Sequence, residues 1–160
     1  MSEGIDKTAV YAAFLEHLEV ELAAAVAASR DAAAYATDGE ARAESKWDTQ
    51  GLEASYLAAG QAGQAREWLR AIEAVRSQRD SLVRQADRAG PGALVESAQA
   101  DETDLYYLVP AAGGQKLRVA GTEVTTLTFQ TPLAAALLGK RAGDSYVTGG
   151  GAAGKVLFVG

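Results

Sequence analysis

Five carboxylates and one indole gather where an alanine-rich run is interrupted. Asp38, Glu40, Glu44, Asp48 and Glu53 fall within residues 37–53, with Trp47 among them; the centre of the run reads AESKWDTQGLEASYLAAGQA, residues 43–62. Alanine is the strongest helix former, so helix is expected on both sides. Asp48-Thr49-Gln50-Gly51 interrupts it. The simplest chemistry available there is capping. Asp48 or Thr49 can accept a hydrogen bond from the free amides that open a second helix, and Glu53 falls in its first turn or two, where negative charge suits the dipole. On the same reading Trp47 folds back as a hydrophobic staple, and Asp38, Glu40 and Glu44 form a solvated charge run.

Other reactive residue types are scarce. The chain has no cysteine, which excludes disulfides, thiolate catalysis and cysteine-ligated zinc. Its single histidine, His17, lies near an apolar stripe with no partner cluster and reads as structural. Gly149-Gly150-Gly151 is followed by neither a helix start nor Lys-Ser/Thr, so it is not a phosphate loop. Arg66, Arg70, Arg76, Arg79, Arg84 and Arg88 alternate with Glu67, Glu73, Asp80 and Asp87, a solvated face from which a few side chains could contact a partner. With 15 Lys+Arg against 21 Asp+Glu, the net charge of −6 argues against nucleic-acid binding by bulk attraction. No apolar run approaches the roughly 18 residues that span a bilayer. The start, MSEGIDKTAV, lacks a basic region followed by an apolar core. A soluble cytoplasmic protein without membrane contact is expected.

The elements that position the acids follow from periodicity. Phe14, Leu18, Leu22 and Val26 recur every four residues, with Tyr11, Leu15 and Ala25 adjoining. Leu52, Tyr56, Ala59, Leu69, Ile72, Val75 and Leu82 make a second stripe. Each stripe is narrow, so each helix is expected to bury its stripe against the other as an antiparallel coiled-coil hairpin. A turn near residues 45–50 gives arms of roughly 50 Å. Thr37-Asp38-Gly39 is an alternative break, which places the tip within residues 37–50.

Composition changes at Gly90-Pro91-Gly92. Residues 1–90 are proline-free with 15 acids and 10 bases; residues 91–160 hold all 3 prolines, with 6 acids and 5 bases. A boundary is expected there, between a coiled coil (1–90) and a C-terminal domain (91–160). ALVESA, DLYYLVPAA, QKLRVAG and EVTTLTFQ read as strands, and DSYVTGGGAAGKVLFVG as a closing hairpin. Of Tyr106 and Tyr107, one should be core and the other surface. TPLAAALLGKRAGD breaks the strand pattern. Thr131 is expected to cap a short helix, with Pro132 at its first position, Gly139 as its stop, and Leu137 and Leu138 in the core. The fold class expected is α+β, a small antiparallel sheet with one short helix.

The order of these parts resembles the Gre (GreA/GreB) family of bacterial transcript-cleavage factors, as a divergent member. Thr131, Pro132, Leu133, Leu137, Leu138, Gly139, Lys140, Gly143 and Asp144 fit that family's C-terminal motif, and GLEASYLAAGQA looks like the start of its second helix. The resemblance implies an FKBP-like C-terminal domain, RNA polymerase as partner, and docking through Pro132, Leu133, Lys140, Arg141 and Asp144. It implies a tip that enters the polymerase secondary channel, where Asp48 and Glu53, with Glu44 in reserve, help hold a magnesium ion shared with the polymerase. Magnesium takes oxygen ligands and keeps several waters, so one or two carboxylates suffice. Trp47 would contact neighbouring nucleic acid or protein, and nascent RNA would be met only indirectly. The chain would have no active site of its own, no tightly bound cofactor, and would act as a monomer. The acids depart from the family's spacing. If Tyr56 matches the family's helical tyrosine, Asp48 is one position off and the expected Glu position holds Leu52, with Glu53 beside it. Family members with altered tips can inhibit polymerase, so the resemblance supports binding better than cleavage. Two other readings are an interaction protein that uses only its coiled coil, and, from the FKBP-like fold, a peptidyl-prolyl isomerase.

Overall fold

The computed structural model describes residues 4–42 and 50–160, with the side chains of 35–42 and 50–57 excepted. Helix α1 spans Lys7–Arg42 and α2 spans Gln50–Ser77. Their 36 and 28 residues give about 54 and 42 Å at 1.5 Å per residue. Asp6 starts α1 by accepting the Thr8 amide on Oδ1 at 3.0 Å. The helix runs through Thr37-Asp38-Gly39 without a break. Glycine costs only about 1 kcal/mol in a helix, and the flanking alanines favour continuation. A short helix, α3, spans Arg79–Val83.

The contact pattern divides the chain into two compact units, Leu18–Ile72 and the pair Met1–His17 with Glu73–Gly160. The compositional change at Gly90-Pro91-Gly92 lies inside the latter.

The Leu18–Ile72 unit is the helical hairpin. Ser29 Oγ donates to the Ala58 carbonyl at 3.5 Å, and Glu21, Ala24 and Ala25 line a groove with Gln61, Gln64 and Trp68. Numbers rise on α1 as they fall on α2, so the helices are antiparallel. The buried positions include Ala25 and Ala32, residues small enough for close approach. Leu69, expected on the apolar stripe, is 46% exposed. Ile72 and Val75 are buried while Trp68 is half-buried, so the inward face passes through 68, 71, 72 and 75 and leaves Leu69 outside it.

The other unit is a six-stranded sheet with the helix bases. Its strands are β1 (Leu94–Gln99), β2 (Glu102–Leu108), β3 (Lys116–Val119), β4 (Thr122–Leu127), β5 (Ser145–Val147) and β6 (Ala153–Val159), in spatial order β3-β4-β2-β1-β6-β5. Helix α4 spans Pro132–Leu137. Four pairings are antiparallel as expected, but β2 and β4 run parallel, so the sheet is mixed. The cause is topological. The β3–β4 hairpin lies beyond β2 with its second strand inward, and β4 then takes the direction of β2. Thr126, fully buried in β4, fixes the connection: its hydroxyl donates to the Ala112 carbonyl at 2.7 Å and accepts the Gln115 amide at 2.9 Å.

Tyr107 is the core member of its pair and Tyr106 is half-buried. Phe14 meets the Tyr107 ring edge-on, centroids 6.1 Å apart, and the Tyr107 hydroxyl donates to the Leu82 carbonyl at 2.7 Å. His17 is structural, its Nε2 lying 2.9 Å from Gln115 Oε1. A second core cluster joins Ala89, Val95, Leu108, Leu127, Ala134, Leu137, Tyr146 and Val156, with Phe129 and Leu133 packed against it. Gly92 joins this unit's parts at close range. Its φ is +85°, and a Cβ there would collide with the Ser81 carbonyl.

Candidate functional site

Two groups of residues carry functional expectation, and the structure describes one of them in detail. Glu44, Trp47 and Asp48 lie outside the described residues. Glu53 is the fourth residue of α2, with its side chain outside those described.

The segment Thr131–Asp144, where docking residues were expected, is built from local signals. Thr131 is extended and its Oγ1 accepts the Ala134 amide at 3.2 Å, and Pro132 follows at the first helical turn. Leu137 is wholly buried. Leu138, expected beside it in the core, is 56% exposed. The helix ends at Leu137, and Leu138 has non-helical φ and ψ of −53° and 125°, so the helical spacing that placed it inward no longer applies. Gly139 follows at φ +80°, a conformation that suits a residue without a side chain.

The turn after α4 is pinned on both sides. Gly139 N donates to the Ala89 carbonyl, and Ala89 N donates to the Lys140 carbonyl, both at 2.8 Å. Gly143 N reaches the Val156 carbonyl and Val156 N reaches the Asp144 carbonyl, again at 2.8 Å. Asp144 is engaged within the turn, its Oδ2 accepting the Arg141 amide at 2.9 Å while its own amide donates to the Arg141 carbonyl at 3.0 Å. Its carboxylate therefore braces the loop that carries Lys140 and Arg141. Pro132 and Arg141 are exposed, Lys140 is half-buried, and Leu133 is half-buried against the core. Among the described residues neither cation forms an ion pair. The arrangement is a rigid surface turn that offers one apolar side chain and two cations. Ala89 escapes a sequence reading because nothing in an exposed-looking Asp-Arg-Ala-Gly run marks a residue that clamps a turn some 50 positions on.

A second concave feature lies where β2 and β4 diverge, a cleft of about 260 Å³ lined by Glu96, Thr103, Asp104, Leu105, Thr122, Glu123 and Thr125. Glu123 is engaged with Lys116 at 3.4 Å. Burial, then the Asp104 carboxylate, pushes the Tyr106 hydroxyl up to about 12. Among the described residues no group of three or more His, Asp or Glu side chains is placed to hold a metal ion. No helix among them is long and apolar enough to cross a membrane.

No family model and no curated protein matches the sequence. Among solved structures, GreA factor homolog 1 (Gfh1) of Thermus thermophilus is similar at 18% identity, covering 91% of this chain and 94% of that one, with a TM-score of 0.36. Gfh1 of Thermus aquaticus is similar at 22% identity, covering 90% and 92%, with a TM-score of 0.34.

Proposed function

We propose that this chain is a Gre-like regulator that binds RNA polymerase through its secondary channel, without an active site of its own. The observation that carries the reading is the segment Thr131–Asp144. Its residues fit the family's motif, and they form a capped helix and a braced turn that holds Leu138, Lys140 and Arg141 at the surface of the sheet unit. The helical hairpin that precedes it supplies the second part. At roughly 50 Å its arms are long enough to carry acids from a docked domain into a deep channel. Asp48 and Glu53, with Glu44, would then help hold a magnesium ion shared with the polymerase, and Trp47 would touch neighbouring nucleic acid or protein. Two metals stabilise the attacking and leaving oxygens of a phosphodiester, which is the chemistry such a probe assists.

Binding and cleavage are tested separately. Core RNA polymerase should retain the full-length chain in a pull-down, and a double reversal, Lys140→Glu with Arg141→Glu, should weaken retention at least tenfold. Failure of the wild type to bind would sink the proposal. For cleavage, Asp48→Asn keeps a capping residue and removes the charge. It should leave folding and binding intact and lose most stimulated cleavage of a stalled, backtracked complex. A wild type that binds and only inhibits would assign the chain to regulation without cleavage.

A further inference from the structure

Lys7, the first residue of α1, is 1% exposed. A buried ammonium is ordinarily paired with a carboxylate. This one instead donates from Nζ to the backbone carbonyl of Arg84, the residue that ends α3. Asp6, its neighbour in the chain, is exposed and turned to the Thr8 amide. The titratable groups of the neighbouring segments include Tyr11 on α1, Arg79, Asp80, Arg84, Asp87 and Arg88 on and after α3, and the Tyr107 hydroxyl, which is spent on the Leu82 carbonyl. Tyr11 faces the Arg79 guanidinium, which stands 5.7 Å from the centre of its ring. Among the described residues Lys7 forms no ion pair. Its charge also sits at the positive end of the α1 dipole, and among the described residues its hydrogen-bond partner is a carbonyl at the end of α3.

We propose that Lys7 is a proton-operated latch between the first turn of α1 and the segment that joins α3 to the sheet. The neutral amine holds the latch closed, and the ammonium loosens it. Burial lowers the amine from its usual 10.5 to about 8. Because the folded value is depressed, the open form binds more protons between about 8 and 10.5. Closure is therefore weakest below this window and strengthens as pH rises through it. The raised values of Tyr106 and Tyr107 keep both hydroxyls protonated from pH 7 to 9, so neither contributes there.

Hydrogen exchange of the full chain at pH 7 and pH 9, corrected for intrinsic rates, reads the latch directly. Protection of amides in residues 8–12 and 85–89 should rise roughly tenfold in the wild type. Lys7→Met keeps the stem and removes the charge, so its protection should not change with pH. Equal pH dependence in both proteins would overturn the proposal. A titration of the Lys7 Cε resonance by NMR needs only the wild type. An amine titrating near 10.5 would overturn the proposal as well, and one near 8 would support it.

Discussion

The hairpin unit and the sheet unit bury different kinds of side chain. Among the described residues of Leu18–Ile72, the buried apolar ones are Leu18, Ala25, Ala32, Ala71 and Ile72, three of them alanines. The sheet unit buries Tyr107, Phe14, Leu94, Leu108, Leu137 and Val95 almost completely. Apolar burial contributes about 25 cal/mol per Å², so a buried tyrosine or leucine stabilises far more than a buried alanine. The comparison separates two ways of making an element. The hairpin rests on high helix propensity and, among the described residues, a seam of small side chains. The sheet unit rests on a dense core with fixed polar contacts.

Substitutions can break this contrast, and the largest effect is expected in the sheet unit. Gly92→Ala combines an unfavourable positive φ with a collision at the Ser81 carbonyl. It should destabilise by roughly 3–5 kcal/mol, seen as a large fall in the urea midpoint. A shift below about 1 kcal/mol would mean that the α3–β1 junction yields easily. Next comes a pair of adjacent leucines. Leu137→Ala should cost about 2–5 kcal/mol, whereas Leu138→Ala should stay within about 0.5 kcal/mol. Equal costs would show that α4 continues past Leu137. The smallest of the three lies in the hairpin. Ala32→Gly should cost about 1 kcal/mol through propensity and lost contact, with hydrogen exchange faster in α1 and unchanged in the sheet. A cost above about 3 kcal/mol would show that the seam is packed as tightly as the sheet.

Much of the sheet unit was legible in the sequence. The runs of β-branched and aromatic residues, the glycines between them and the Thr-Pro start of α4 all act over a few residues, and each produced the element expected. The hairpin was legible for the same reason, since a narrow stripe at helical spacing has one economical partner. The acids between Asp38 and Glu53 are legible as residue types, while Glu44, Trp47 and Asp48 fall outside the described residues. Two of the misjudged positions share a cause. Leu138 and Leu69 were assigned by helical spacing, and spacing fails where a helix ends or where its inward face is set by a neighbouring large residue such as Trp68.

What the sequence alone determined is local: helix and strand identity, the cap at Thr131, the stop at Gly139 and the acidic character of the run around Trp47. These follow from backbone propensity and from hydrogen bonds closed within a turn or two. What only the tertiary structure decided is every contact made across long stretches of chain. It set β4 parallel beside β2, tied Ala89 to the turn after α4 and buried Lys7 against the Arg84 carbonyl. Such pairings depend on which surfaces meet when the whole chain minimises exposed apolar area, and residue type at one position does not encode that meeting.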